Sequence, residues 1–174
     1  MSTTTQPEVW LRGALPGISP YLQPAAHALL EAKEEINGML QNFPDALLWE
    51  KPGGSASVCF HLQHIPGVLD RLQTYAKGQA LSPEQFAYLK KEGVGGDESA
   101  ASLCQHLNET VDGFVENLKT LDADRLTEAR EVGRGKLPST VLGLLFHAAE
   151  HTMRHTGQLL VTVNVLRQQS SGEV

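Results

Sequence analysis

Three histidines recur at every fourth position in the segment LLFHAAEHTMRHTGQLL, residues 144–160. They are His147, His151 and His155. A four-residue step along an α-helix advances about 400°, so each imidazole lies about 40° around the helix from the previous one and one turn further along. The segment therefore predicts a helix with a histidine stripe. Such a stripe is either a polar seam in a buried helix or part of a metal site, and its spacing leaves both interpretations open.

A second histidine pair, His61 and His64, lies in the segment SASVCFHLQHIPG, so that five of the seven histidines fall in two short segments. Neutral imidazole is the commonest protein ligand for zinc and related ions, and histidines at i and i+4 reach an ion from one side only. A further ligand therefore has to come from another helix. The spacing does not decide which three histidines bind. Glu150 and Gln158 flank the stripe, either as hydrogen-bond partners that fix the imidazole tautomers or as plain helix surface.

Apolar residues follow the helical period through most of the chain. Their spacing predicts four long helices, which run from Pro20 to about Pro44, from about Val58 to Gly78, from Ser99 to about Leu121, and from Pro138 to about Gln168. The motif Ser-Pro-Glu-Gln at 82–85 predicts the start of a short fifth helix that ends before Gly93. We expect an all-α protein, a four-helix bundle with one short accessory helix.

Other segments depart from this pattern. Residues 1–19 are rich in Thr, Pro and Gly, which predicts an irregular N-terminal arm, pinned by Trp10, ahead of one bundle domain over residues 20–170. EAREV, residues 128–132, is a candidate extended piece. Pro66 lies inside the second helix and predicts a kink at the level of His64, because proline clashes with the carbonyl four residues earlier. His27 and His106 lack a partner at ligand spacing and are interpreted as structural.

The last helix ends in LLVTVNVL, residues 159–166, which is apolar on nearly every side. A bundle helix that packs on its neighbours through one face needs fewer apolar residues than this. We expect a homodimer formed through this helix, or else a central helix surrounded by the others.

The net charge of −6 is spread along the chain without a run of Lys and Arg, so neither nucleic acid nor an anionic membrane surface is expected as a partner. Cys59 and Cys104 are far apart in apolar surroundings, which predicts buried, reduced thiols. The N-terminus does not resemble a signal peptide, and no stretch reaches about 18 uninterrupted apolar residues. A soluble cytoplasmic protein is expected.

Residues 55–78 together with HAAEHTMRHTGQLL, residues 147–160, resemble the DinB and YfiT-like superfamily of bacterial four-helix proteins. The resemblance extends over most of residues 20–167. In that family the second helix contributes one histidine to a metal site, and a His-x-x-x-His-x-Gly-Gln segment in the last helix contributes two. Carried over, the ligands are His64, His151 and His155, with His61 and His147 as neighbours. Pro66 departs from the family pattern.

The resemblance implies a divalent ion, with Zn, Ni, Fe and Mn as candidates, and a metal-dependent hydrolase or a transferase that uses a low-molecular-weight thiol. The substrate is then a small molecule, with a thiol among the candidates. Three histidine ligands leave an open position of the catalytic kind, and no Ser-His-Asp or reactive-cysteine arrangement offers another nucleophile. Glu150, His61 and His147 are candidate general bases, although each also suits a supporting or core position. The competing hypothesis is a non-catalytic, stress-related dimer that binds metal or a small ligand.

Overall fold

The computed structural model describes residues 6–171 of the chain. Within this range, the five α-helices are α1 Gln23–Met39, α2 Val58–Ala76, α3 Pro83–Lys91, α4 Ala100–Leu118 and α5 Val141–Ser171. Two short strands, β1 Ala129–Val132 and β2 Leu137–Thr140, pair antiparallel. The predicted all-α bundle with α3 as its accessory helix is confirmed.

The four long helices form a ring in the order α1, α5, α2, α4, each in contact with the next. Their buried positions recur at three- and four-residue spacing, as in Leu29 and Ile36 of α1, Leu62 and Leu69 of α2, and Leu107 and Phe114 of α4. These side chains form one core between the helices. Because α2 and α5 are neighbours in the ring, the two histidine segments face each other.

The N-terminal arm is anchored at Val9, which is buried, rather than at Trp10, whose exposed fraction is 60%. The Val9 N–H donates to Oε2 of Glu31 at 2.5 Å, and the Arg12 guanidinium pairs with Glu34 of α1 through two hydrogen bonds. The expectation that the tryptophan pins the arm is therefore wrong. The first five residues of the predicted arm lie outside the described residues.

The last helix begins at Val141 and not at Pro138, which lies in β2 opposite Glu131 of β1. The predicted extended piece is confirmed as β1. Its partner strand was missed because Leu-Pro-Ser-Thr shows no alternation of apolar and polar residues. The hairpin turn contains Gly133 and Lys136 with positive φ of 67° and 47°.

The second half of α5 is buried on one face only, through residues such as Leu159 and Val163. On the other face, the exposed fractions of Leu160 and Val161 are 43% and 62%. A helix surrounded on all sides is therefore excluded, and the homodimer stays a prediction. Over residues 6–171, no helix combines the length and the apolar character needed to cross a membrane.

Candidate metal centre

Four histidines from α2 and α5 meet in two pairs across the helix interface. Nε2 of His64 lies 3.0 Å from Nε2 of His151, and Nδ1 of His61 lies 2.9 Å from Nδ1 of His155. One nitrogen from each of His64, His151 and His155 lies within 4.8 Å of the others. The structure thus brings together the three residues to which the family resemblance pointed.

The donor set fits a divalent first-row ion. Two imidazole nitrogens bound at about 2.05 Å to a tetrahedral ion lie about 3.3 Å apart, close to the observed separation of the His64 and His151 Nε2 atoms. Nδ1 of His151 is buried and has no hydrogen-bond partner, so the ring is not part of a fully satisfied polar seam. Three imidazoles suit several such ions, and the geometry does not choose among them.

Burial keeps the imidazoles of His61, His151 and His155 neutral. Burial lowers the pKa of His151 to about 4 and that of His155 to about 3, and the nearby His64 acts in the same direction on both. Burial likewise lowers the pKa of His61 to about 4. Neutral imidazole is the form in which histidine binds a metal ion, so at pH 7 no proton has to leave these rings first.

A buried carboxylate that the sequence did not reveal orients His64. Nδ1 of His64 lies 2.6 Å from Oε2 of Glu92, and Nη1 of Arg71 donates to Oε1 of the same carboxylate at 2.6 Å. The Glu92 side chain is 4% exposed. A carboxylate only accepts hydrogen bonds, so Nδ1–H of His64 donates to Oε2 of Glu92, and the tautomer that carries its proton on Nδ1 presents the Nε2 lone pair to the site.

Glu92 reaches the site because it caps the C-terminal end of α3, which packs on α2 at Gly67. A Cβ added at Gly67 would lie 2.8 Å from Nη1 of Arg71 and 2.8 Å from Cε1 of Tyr88, and would also meet Oε1 of Glu92. The absence of a side chain at Gly67 therefore admits the carboxylate beside His64. The α2 helix continues through Pro66 as one element.

His61 supports the site from within the core. Its side chain is buried, and its contact with Nδ1 of His155 leaves Nε2 of that ring for another partner. Phe60 stacks on His64 with ring centroids 4.9 Å apart and an interplanar angle of 14°. The two histidines predicted as neighbours of the ligands thus differ in environment, because His61 is buried and His147 is exposed.

His147 lies one turn before His151 and is bound through Nδ1 to Oε1 of Glu150 at 2.6 Å. A second, more exposed set of possible metal ligands lies on the same stripe. It consists of His147, Glu150 and His151, whose ligand atoms lie within 4.8 Å of one another. Gln158, over the described part of the chain, hydrogen-bonds to none of the histidines and instead lines a cavity next to His61. Its interpretation as a tautomer-fixing partner has no contact to support it.

The two isolated histidines lie away from this cluster. Nε2 of His27 contacts the Gly13 carbonyl at 3.1 Å, and the His106 ring lies 6.1 Å from that of Tyr88. The cysteines are free, with Cys59 buried and Cys104 half-buried. Burial raises the pKa of Cys59 to about 12 and also raises that of Cys104. Neither thiol has the lowered pKa of a reactive cysteine.

Residues 28–159 match the family model of the DinB superfamily. The chain belongs to the DinB superfamily. The match includes His64, His151 and His155, so the residues that form the candidate centre of this DinB-superfamily protein lie within the family domain.

Two known proteins are similar to this DinB-superfamily chain. One is a protein from Gloeobacter violaceus described as phosphoglycerate kinase, 32% identical over 118 residues that cover 67% of this chain and 27% of that protein. The chain thus spans about a quarter of the length of that relative. The other is a crystal structure of a Streptococcus pneumoniae protein, with a TM-score of 0.61, 13% identity, and coverage of 87% of this chain and 93% of the other. That likeness shows the fold.

Proposed function

We propose that this DinB-superfamily protein is a metal-dependent enzyme in which His64, His151 and His155 hold a divalent ion, with Zn, Ni, Fe and Mn as candidates. The observation that carries the proposal is the convergence of three nitrogens from two helices within 4.8 Å, one of them oriented by a buried carboxylate. When bound with an open coordination position, such an ion polarises a water or a thiol so that it loses its proton near neutral pH.

The protein residues prepare the site for that chemistry. Glu92 holds His64 in the tautomer with a free Nε2, and His61 contacts the opposite side of the His155 ring. Phe60 covers one face of His64 and keeps water from it. Fixed ring orientations of this kind lower the cost of ordering the ligands around an ion.

The reaction class we propose is hydrolysis or a transfer reaction that uses a low-molecular-weight thiol. With the pKa of Cys59 raised to about 12, a protein thiol is a poor nucleophile here, so the nucleophile comes from water or from a small molecule. Glu150 is a weak candidate for the general base. Burial raises its pKa, but hydrogen bonds from Arg154 and His147 outweigh this and leave the pKa below its ordinary value.

The proposal is tested with untagged protein, reconstituted separately with each of the four ions and assayed against ester, amide and thiol-transfer substrates. We expect turnover that chelation removes, that metal restores and that His155→Ala lacks. Protein that retains stoichiometric metal yet turns over none of these classes favours the competing function, a non-catalytic binding protein. Turnover that survives chelation excludes the metal-dependent mechanism.

We also propose that two chains pair through the exposed apolar surface of α5 around Leu160, outside the cavity described below. Burial of such side chains against a second copy removes apolar surface from water. Sedimentation at several concentrations is expected to show a dimer for the wild type and a monomer for Leu160→Asp. A monomeric wild type contradicts this proposal.

A further inference from the structure

A cavity of about 810 Å³ lies next to the candidate metal centre. One wall is a face of α5 that includes Arg154, Gly157 and Val161, and the other is the loop before α2, from Pro52 to Ala56. His61 of α2 also lines it. The volume is within the range of about 300–1,000 Å³ that is typical of pockets for small molecules.

A single residue, His61, connects the cavity to a candidate metal ligand. His61 lines the cavity and contacts Nδ1 of His155 at 2.9 Å. Arg154, also in the lining, is the residue directly before His155. A molecule in this cavity therefore lies against His61, which in turn contacts the candidate ligand His155.

The charge of the lining favours an anionic ligand. Among residues 6–171, Arg154 is the only lining residue with a permanent charge, and neither Asp nor Glu contributes to the walls. One guanidinium nitrogen of Arg154 binds Glu150 at 2.5 Å, so other N–H groups of the five-donor guanidinium are available. Much of the remaining surface is apolar, as at Ala56, Val161 and Val165. This combination favours a ligand with one anionic group and an apolar body.

Gly157 keeps the α5 wall open. A Cβ built at this position meets no atom within 4 Å, although the residue lies within a packed helix. A larger side chain at position 157 therefore extends into the cavity without displacing protein atoms. This provides a means of narrowing the cavity while the fold is kept.

We propose that this cavity is the substrate pocket and that it takes a small organic anion with an apolar body. The proposal rests on the proposed function, because it names the substrate class of the same site.

Two fluorescent probes of nearly the same shape test the proposal on the full chain. The first, 1-anilinonaphthalene-8-sulfonate, carries one negative charge, and the second, N-phenyl-1-naphthylamine, is its neutral counterpart. Because the Arg154 side chain is 54% exposed and also pairs with Glu150, we expect the sulfonate to bind about two- to fivefold more tightly. Arg154→Gln is expected to remove that preference while binding of the neutral probe changes less than about twofold.

Gly157→Leu is expected to weaken the binding of both probes. The matched control is Gly38→Leu, at an exposed glycine of α1 whose added Cβ likewise meets nothing within 4 Å, and it is expected to bind as the wild type does. Equal affinity for the two probes, or wild-type binding by Gly157→Leu, overturns the proposal. Probe binding that disappears as the protein dimerises also overturns it, because a second copy then occupies the cavity.

Metal content is measured on the same samples, so that failure of the metal centre can be distinguished from failure of the anion pocket. Gly157→Leu is expected to retain the wild-type metal content. Absence of metal in a wild type that binds the sulfonate as expected refutes the metal centre and leaves the anion site standing. Normal metal uptake without selective sulfonate binding refutes the pocket alone.

Discussion

Replacement of Glu92 by glutamine tests whether the buried carboxylate prepares His64 for a metal ion. The side chain keeps its shape but loses its charge, and it has one acceptor oxygen where the carboxylate has two. In the wild type, those two oxygens serve His64 and Arg71, each at 2.6 Å. In Glu92→Gln the amide NH₂ faces one of the two donors, so His64 or Arg71 loses its acceptor.

The expected effect on metal affinity follows from these contacts. Loss of a partner that orients a ligating histidine typically lowers metal affinity by about 10- to 100-fold, which corresponds to about 1.4–2.7 kcal/mol. The fold also loses stability, by about 1–3 kcal/mol, because a buried charged donor at Arg71 is left imperfectly paired. The contact is almost fully shielded from water, with the Glu92 side chain 4% exposed, so solvent does not replace the lost acceptor.

The assay is Zn²⁺ affinity by competition with a chromophoric chelator, at a temperature where both proteins are folded. The nitrogen resonances of His64 report the tautomer directly, and a purely structural role of Glu92 leaves them unchanged. Glu150→Gln is the matched control, since Glu150 contacts His147 at the same 2.6 Å but on a ring that we do not assign as a ligand. It is expected to change the affinity less than about twofold.

Two results refute this reasoning. If folded Glu92→Gln binds Zn²⁺ as the wild type does, the carboxylate does not prepare the site. If Glu150→Gln weakens binding as much as Glu92→Gln does, His147 belongs to the ligand set.

Two further predictions concern stability. The lowered pKa values of His61, His151 and His155, about 4, 4 and 3, lie below the unfolded value of about 6.5, so the unfolded state binds more protons at acidic pH. The Tm of chelator-treated protein is therefore expected to fall as the pH drops from about 6.5 towards 3, and a constant Tm over that range contradicts the burial of neutral rings. Gly67→Ala is expected to destabilise the fold by about 1–3 kcal/mol through its clash with Arg71, Tyr88 and Glu92, and to weaken metal binding. Gly113→Ala, in α4 with no atom within 4 Å, is expected to stabilise by about 0.5–1 kcal/mol in the same urea titration, and the same sign in both variants refutes the packing argument.

The helices and the histidine stripe of α5 follow from local sequence patterns. A helix buries one face, so apolar residues such as Leu103 and Leu107 recur at its period, and His151 and His155 must share a face whatever surrounds them. Neither histidine segment alone predicts that α2 packs against α5. The choice of His64, His151 and His155 as ligands came from the resemblance to a known family, and the structure places Nε2 of His64 3.0 Å from Nε2 of His151.

Other features depend on contacts between distant parts of the chain. Glu92 lies 28 residues from His64 in sequence, at the end of a short helix whose docking on Gly67 no periodicity reveals. The start of α5 was misplaced at Pro138 because that residue is a good first helical residue, while pairing with Glu131 holds it in a strand. The cavity depends on the conformation of the loop before α2, where Gly53 and Gly54 adopt positive φ.

The metal content of untagged protein, measured after equilibrium dialysis against Zn²⁺, tests the central claim most directly. The proteins to compare are the wild type and the alanine variants of His64, His151, His155 and His147, each shown to be folded. We predict one ion per chain in the wild type and in His147→Ala, and loss of the ion in the other three. Equal loss in His147→Ala, or no stoichiometric ion in the wild type, contradicts the assignment of His64, His151 and His155 as the ligands.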